Sequence, residues 1–205
     1  MAYHSSNGDF LNGKKKSILL FLLLGSVFIC FCSCVSGTAA REDEPVAPYV
    51  WLTDRAKYML LPPEDIEHPL DMPQLVSASY GEKDYFLNAW VKADTAGLNI
   101  TIINELGANM GELSYCDGKV SFSSAMFPPS LRPEYIVADF QLCFYNAPAV
   151  RQALEDCGLS FEDNWTNRRI LQDKTVIIEI EKTRNIVKFV NYLREYLYIL
   201  EGNFE

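Results

Sequence analysis

The 205-residue sequence predicts an α+β domain, in which a curved antiparallel sheet is covered by helices from the middle of the chain. Alternating apolar and polar residues recur at 74–123 and again at 168–201, a pattern typical of half-buried strands. Residues 135–158 between them have apolar side chains at helical spacing. Consecutive strands on both sides of one helical block favour a sheet that wraps around, with a helix pair closing its concave side.

The first 34 residues predict an export signal that ends in a lipid-attachment cysteine. Three lysines at 14–16 precede the uncharged run Ser17–Phe31, and the small Ser33 stands directly before Cys34. This pattern predicts removal of residues 1–33 and attachment of acyl groups such as palmitate to Cys34. A cleaved signal without lipid and an uncleaved anchor are the alternatives. The apolar run is shorter than the roughly 20 residues that a spanning helix needs.

The signal predicts a periplasmic location in a Gram-negative envelope. Val35 and Ser36 follow the cysteine, and no Asp is present to retain a lipoprotein in the inner membrane. We therefore expect an outer-membrane lipoprotein that faces the periplasm. Residues 34–57 are small, charged and proline-containing, which predicts a membrane tether that ends in a helical turn at 51–57. The domain is predicted to span residues 58–205.

The elements of this domain are predicted from turns and periodicity. Residues 58–73 contain four prolines and cannot be regular throughout. About five antiparallel strands follow, with Asp117-Gly118 as a hairpin turn. Residues 135–145 predict a helix, with a strand as the alternative, and Asp139 and Gln141 mark its exposed face. A second helix is predicted between Pro148 and the capping Gly158.

The charge of the chain argues against a nucleic-acid partner. Removal of the signal takes three lysines and one aspartate from the 18 basic and 27 acidic residues, which leaves a net charge of about −11. Such a domain repels nucleic acid at long range, so we expect no nucleic-acid partner. The roughly 170 remaining residues suffice for one domain with a hydrophobic core.

The sequence shows no catalytic or metal-binding constellation. It has no phosphate-binding glycine loop, GxSxG or HExxH motif, and His68 is the only histidine after the signal. We therefore expect neither an enzyme nor a cofactor. Cys116, Cys143 and Cys157 follow no metal-ligand spacing. One disulfide among them is allowed, and small buried hydrophobes are the alternative.

The concave face of the sheet is the candidate functional region. A packed core is the ordinary interpretation of its apolar residues. The functional alternative is a hollow that accepts acyl chains. The candidate lining residues are Phe86, Trp90, Ile100, Ile102, Phe140, Phe144, Ile178, Ile180, Val190 and Tyr198.

Two further features suggest contact with lipid. Leu106 lies in the connection 104–107, where a turn is normally polar. We expect it either to pack back on the domain or to enter a bilayer or a partner. Arg168, Arg169 and Arg194 are candidates for binding lipid head groups, with surface charges or structural ion pairs as the favoured alternative.

Several blocks resemble a known family, namely YMLLPPEDI, NELGANMGELSYCDGKV, RPEYIVADFQLCFY, RRIL and NYLREYLYILEG. They resemble the uncharacterised lipoprotein family called domain of unknown function 3261, over about residues 58–203. Its members are often encoded in aryl-polyene pigment clusters. The family is similar in turn to the LolA/LolB carriers, which implies an unclosed antiparallel half-barrel with a helical lid over an apolar cavity.

The resemblance also implies a membrane-contact loop. Leu106, followed by Gly107, matches the protruding Leu of LolB, although Glu105 stands where LolB has Pro. We therefore expect an outer-membrane-anchored lipoprotein that binds an acyl chain or aryl-polyene lipid and helps to transfer it to the outer membrane. Its partners would be the lipid, the membrane and envelope transport proteins. The alternative is a non-catalytic docking lipoprotein of an envelope complex.

Overall fold

The computed structural model describes residues 47–125, 127 and 130–204. The predicted signal peptide, Cys34 and the first part of the tether lie outside the described residues. Pro45–Glu205 form one compact unit with a core of its own. No helix in the described part of this unit is long and apolar enough to cross a membrane.

Strands dominate this unit, with one helical block near its middle. The strands are β1 Tyr49–Trp51, β2 Lys57–Met59, β3 Leu70–Tyr80, β4 Lys83–Asp94, β5 Gly97–Ile103, β6 Asn109–Cys116, β7 Lys119–Ser124, β8 Ser160–Asn164, β9 Asn167–Gln172, β10 Thr175–Lys182, β11 Ile186–Asn191 and β12 Tyr196–Glu201. The helices are α1 Pro133–Phe144 and α2 Ala147–Asp156, with a short 3-10 helix at Pro63–Asp65.

Ten of the strands form one antiparallel sheet, in the spatial order β7-β6-β5-β4-β3-β12-β11-β10-β9-β8. Two meanders, β3 to β7 and β8 to β12, join where Ala78 of β3 lies opposite Tyr198 of β12. Within the described chain the outer strands β7 and β8 do not pair, so the sheet is open. This open sheet with two mid-chain helices confirms the predicted α+β class and the helical interpretation of residues 135–145.

Tight turns fix the register of neighbouring strands. Asp117 and Gly118 connect β6 to β7 with φ angles of 48° and 67°. A two-residue turn of type I′ needs positive φ at both positions, which Asp and Gly tolerate. The predicted hairpin at this position is therefore confirmed. Asp173 and Lys174, with φ angles of 48° and 70°, turn the chain in the same way between β9 and β10.

The last part of the predicted tether belongs to the folded unit. Val50 of β1 lies opposite Tyr58 of β2, and neither side chain has exposed surface. The chain between these strands buries Leu52 and Ala56, and the Leu52 amide donates to the Ala56 carbonyl at 2.9 Å. The predicted helical turn at 51–57 is therefore wrong. The chain reverses direction there between two short strands, and every second residue on each side of this reversal points into the core, which is the spacing of strands and not of a helix.

Proline occurs inside a strand at a position where the sheet tolerates it. Pro73 of β3 lies opposite Trp90 of β4. The pairing of β3 with β12 ends at Leu75, so Pro73 has a partner strand on one side alone. A missing amide hydrogen costs little at such an edge. Pro73 therefore does not interrupt the strand, and β3 begins at Leu70, four residues before the alternating run that starts at Gln74.

Polar side chains of α1 fasten it to the rest of the domain. Gln141 is fully buried, and its Oε1 accepts from the Leu61 amide at 2.9 Å while its Nε2 donates to the Leu61 carbonyl at 2.7 Å. Asp139 is buried as well. The prediction that Asp139 and Gln141 mark an exposed helix face is therefore wrong. Both are buried because the domain supplies partners for their polar atoms.

The C-terminal end of α1 is held by a buried arginine of β9. Arg168 Nη1 donates to the carbonyl oxygens of Leu142, Cys143 and Tyr145 at 3.0, 3.1 and 2.8 Å. These carbonyls have no partner inside the helix. A cation at this end also interacts favourably with the helix dipole. Arg168 thus fixes the position of the helix over the sheet.

Candidate functional site

A cavity of about 700 Å³ lies between α1 and the β3/β12 pair. Its volume is within the range of small-molecule binding pockets. We call it the outer cavity, because the exposed Tyr80 and Arg194 lie at its opening. Its walls are formed by Ala78, Ser79, Tyr80, Ser130, Leu131, Arg132, Tyr135, Ile136, Asp139, Arg194, Tyr196, Leu197 and Tyr198.

Two arginines flank one tyrosine ring at the opening of the outer cavity. The Arg194 guanidinium lies 4.2 Å from the ring centre of Tyr135, and its Nη2 donates to the Tyr135 hydroxyl at 2.8 Å and to the Trp51 carbonyl at 2.6 Å. Arg132 lies 5.6 Å from the same ring. The partners of Arg194 are neutral, so its positive charge remains available to an anionic group.

A buried carboxyl group forms part of the same wall. Asp139 is 7% exposed, and its Oδ2 accepts a hydrogen bond from the Tyr196 hydroxyl at 2.7 Å. Burial raises the pKa of Asp139 to about 7, against the opposing effects of the Tyr196 hydrogen bond and of the Arg194 charge. Near neutral pH the wall therefore carries less negative charge than an ordinary aspartate would give it.

A second, smaller cavity of about 140 Å³ lies deeper under α1 and shares two wall residues, Ile136 and Tyr198, with the outer cavity. We call it the inner cavity. Its volume and its mostly apolar walls suit a small apolar group. Its walls are formed by Gln74, Val76, Leu87, Ala89, Val91, Ile100, Ile102, Leu113, Phe122, Phe127, Ile136, Phe140, Tyr198 and Leu200.

The inner cavity contains one unusual polar group. Gln74 is 4% exposed, and its Nε2 has no hydrogen-bond partner among the residues that the structure describes. Its strand neighbour on the same face is Val76, and Ala89 lies opposite. An unpaired buried amide costs about 1–3 kcal/mol.

The structure brings together four of the ten predicted lining residues. Ile100, Ile102, Phe140 and Tyr198 line the inner cavity. Three others are buried outside both cavities, in the packed part of the core. These three are Phe144, Ile178 and Ile180.

Phe86, Trp90 and Val190 lie on the opposite face of the sheet, and their prediction as lining residues is wrong. Phe86 is 78% exposed, and Trp90 donates its Nε1 hydrogen to Asp71 Oδ1 at 2.8 Å. Val190 pairs with Glu179, while Phe189 beside it is buried. Successive strand residues point to opposite faces. The inward positions Leu87, Ala89 and Val91 of β4 hold aliphatic side chains, whereas Phe86 and Trp90 between them point outward.

The predicted membrane-contact loop protrudes from the domain. Leu106 is 92% exposed, so it does not pack back on the core. The Asn104 side chain accepts from the amides of Leu106 and Ala108 at 3.0 and 2.9 Å, which fixes the loop. Gly107 has a φ of 78°, a conformation that favours glycine. The shape of the loop is therefore set by local bonds that leave the leucine outside.

The other candidate residues have structural surroundings. Arg168 holds the end of α1, and Arg169 pairs with Glu179 at 2.8 Å. Cys116, Cys143 and Cys157 are free, with Cys143 buried and hydrogen-bonded to the Tyr198 hydroxyl at 3.9 Å. Burial raises the pKa of Cys143 to about 12. In the described part of the chain, no group of three or more His, Cys, Asp or Glu side chains is placed to hold a metal ion.

Four further wall residues were not predicted, namely Gln74, Tyr80, Tyr135 and Tyr196. The strand pattern contains the signal for three of them, because Gln74, Tyr80 and Tyr196 share the inward face with Val76 and Tyr198. Their polar atoms suggested exposure instead. No pattern in the sequence indicates that Tyr135 stacks against Arg194, since this contact joins α1 to the turn before β12.

Comparison with known proteins places this architecture in one family. A family model described as a protein of unknown function, DUF3261, matches residues 71–200. The matched residues include α1 and the strand residues that line the two cavities. This match confirms the resemblance to that family. No curated protein matches the chain.

Proposed function

The chain belongs to the DUF3261 family of proteins of unknown function, and we propose that it is a periplasmic lipoprotein that binds the hydrocarbon chain of a lipid in its cavities. The proposal includes anchoring to the outer membrane through Cys34 and transfer of the bound acyl or aryl-polyene lipid to that membrane. A LolA/LolB-like half-barrel, with α1 and α2 as its lid, is the architecture that we propose for this task.

The observation that carries the proposal is the pair of cavities under α1. A filled core would have no room for a ligand, whereas about 700 Å³ and 140 Å³ remain here between the helix and the sheet. The inner cavity has almost purely apolar walls, which suit a hydrocarbon. Each methylene removed from water contributes about 0.8 kcal/mol, so a chain can be held without charged contacts.

The opening of the outer cavity suits the polar end of the same ligand. Arg194 offers positive charge there, in a protein whose overall charge is negative, while Arg132 beside it is paired with Glu134 at 3.6 Å. Arg194 is held in place by Tyr135 and Trp51, so little side-chain freedom is lost when an anion binds. A lipid would thus enter with its chain first and leave its head group at the opening.

Strand directions support release at a membrane. β3 runs towards Tyr80, which lies at the opening of the outer cavity and at one edge of the sheet. β11 also runs in this direction, which brings the exposed Tyr192 and Leu193 to that edge. Exposed apolar residues near a cavity opening suit contact with a lipid surface.

The proposal is tested with residues 35–205, secreted to the periplasm without the lipid anchor. We expect native mass spectrometry to find a bound lipid in stoichiometric amount. The variant Ile136→Trp fills the wall that the two cavities share and should reduce bound lipid at least tenfold. Ile186→Trp, at an exposed position of β11, is the matched control and should retain the lipid. A protein that takes up no lipid from vesicles would overturn the proposal.

A second function is favoured by a different observation. The β8–β11 half of the domain is packed, and the side chains of Ile170, Ile180 and Phe189 have no exposed surface. Trp165, at the turn between β8 and β9, is 99% exposed. An exposed tryptophan on a rigid support suits contact with a protein partner. The alternative is therefore a docking lipoprotein of an envelope complex, which would need Trp165 and not the cavities.

A further inference from the structure

We propose that Gln74 selects ligands whose chain carries an oxygen atom near its inner end, such as a hydroxyl group. The inference rests on the proposed function and deepens it by naming the chemistry of the ligand. A plain hydrocarbon would leave the amide of Gln74 unpaired, whereas an oxygen-bearing chain would satisfy it.

The position of Gln74 defines where the oxygen must lie. Tyr80, Ala78, Val76 and Gln74 succeed one another on the inward face of β3, the first two in the outer cavity and the last two in the inner cavity. Tyr80 lies six positions after Gln74, which corresponds to about 20 Å along the strand. A chain that enters at the opening and follows β3 therefore presents its far end to Gln74.

The surroundings of Gln74 favour a ligand group as its partner. Val76, next on the same face of β3, and Ala89, opposite on β4, line the same cavity, and their side chains offer no polar atoms. Its Nε2 is buried and unpartnered within the part of the chain that the structure describes. Buried amides of this kind are rare in folded proteins and mark positions with a role beyond packing.

A hydroxyl group is the best match, because it both donates and accepts. It can pair with either end of the Gln74 amide, whichever way the amide is turned. The 140 Å³ of the inner cavity also limit the inner end to a small group, up to about the size of a benzene ring.

The test compares palmitic acid with its ω-hydroxylated counterpart, together with shorter pairs of the same kind. Residues 35–205 are used, since Pro45–Glu205 form a compact unit with its own core. Each acid competes with a fluorescent fatty acid for the protein. At the chain length that reaches Gln74, we expect the hydroxylated acid to bind about tenfold more tightly than the plain acid.

Gln74→Leu should remove or reverse this preference, because the hydroxyl would then lose its partner. Gln152→Leu, an exposed position of α2, is the matched control and should keep the preference. The unliganded Gln74→Leu protein should also be at least as stable as wild type, since an unpaired buried amide is replaced by an apolar group of similar size.

The outcomes separate the two proposals. Equal binding of both acids at every length would overturn the role of Gln74 and leave the lipid-binding function standing. A clear loss of stability in unliganded Gln74→Leu would also overturn that role, because Gln74 would then have a structural partner. Binding of neither acid would overturn both.

Discussion

At the scale of single residues, Asp139 makes the stability of the domain depend on pH. Burial raises its pKa from the usual 3.8 to about 7 in the folded protein. Between these two values the folded state binds more protons than the unfolded state. Stability should therefore fall as pH rises from about 4 to about 7 and level off above that.

Asp139→Asn should remove this contribution. The amide oxygen of Asn can still accept from the Tyr196 hydroxyl, but no proton is taken up. We expect urea unfolding of the variant to be less dependent on pH between 4 and 7, with a gain on the order of a few kcal/mol at pH 8. Asp71→Asn, on the outer face, should follow wild type. Parallel pH curves for Asp139→Asn and wild type would show that Asp139 is ionised when folded.

The polar residues of α1 show what a helical pattern can and cannot predict. Periodicity correctly predicts a helix at 135–145, because its apolar residues recur at helical spacing. It cannot predict that Asp139 and Gln141 are buried, since their partners Tyr196 and Leu61 lie 57 and 80 residues away in the sequence. Burial of a polar side chain depends on a partner from another element.

At the scale of elements, the position of α1 depends on Arg168. Its guanidinium binds three carbonyl oxygens at the end of the helix and lies 3.1 Å from Glu67 and 3.5 Å from Asp163. Arg168→Leu would leave the three carbonyl oxygens and the partly buried Asp163 carboxylate without this partner. We expect a loss of about 3–5 kcal/mol in the free energy of unfolding, measured by urea denaturation.

The neighbouring arginine provides a matched control for this variant. Arg169 points to the other face of β9 and pairs with Glu179, and about half of its side chain is exposed. Arg169→Leu should cost no more than about 1 kcal/mol. Equal losses in the two variants would contradict the role of Arg168 in fixing α1.

For the sheet, too, the sequence predicts the elements better than it predicts which face of a strand points inward. Turn residues such as Asp117 and Gly118 predict the hairpin between β6 and β7. The pattern of β4 is ambiguous, because Phe86 and Trp90 alternate with Leu87 and Ala89 and both sets are apolar. Phe86 and Trp90 were predicted to point inward because their side chains are the larger ones. In the structure Ala89 lies between the buried residues Gln74 and Ile102 on neighbouring strands, so the smaller side chains point inward. Their small size leaves room for the inner cavity.

At the scale of the whole molecule, the two meanders have different packing. The β8–β11 half buries large side chains such as Phe189 and Ile180 completely. The β3–β7 half faces α1 with small side chains such as Ala78 and Ala89, which line the outer and the inner cavity. The sequence order predicts the open sheet and the helices over it. It does not predict the hollow, which depends on how far α1 stands from β3.

The central claim, that a lipid chain lies between α1 and the sheet, is tested most directly by photo-crosslinking. Palmitic acid with a diazirine near its chain end is bound to residues 35–205, irradiated, and the labelled peptides are mapped by mass spectrometry. We predict labels on wall residues of the inner cavity, such as Val76, Phe140 and Leu200, that excess palmitic acid suppresses. Labels confined to exposed residues such as Phe86 and Leu106 would contradict the claim.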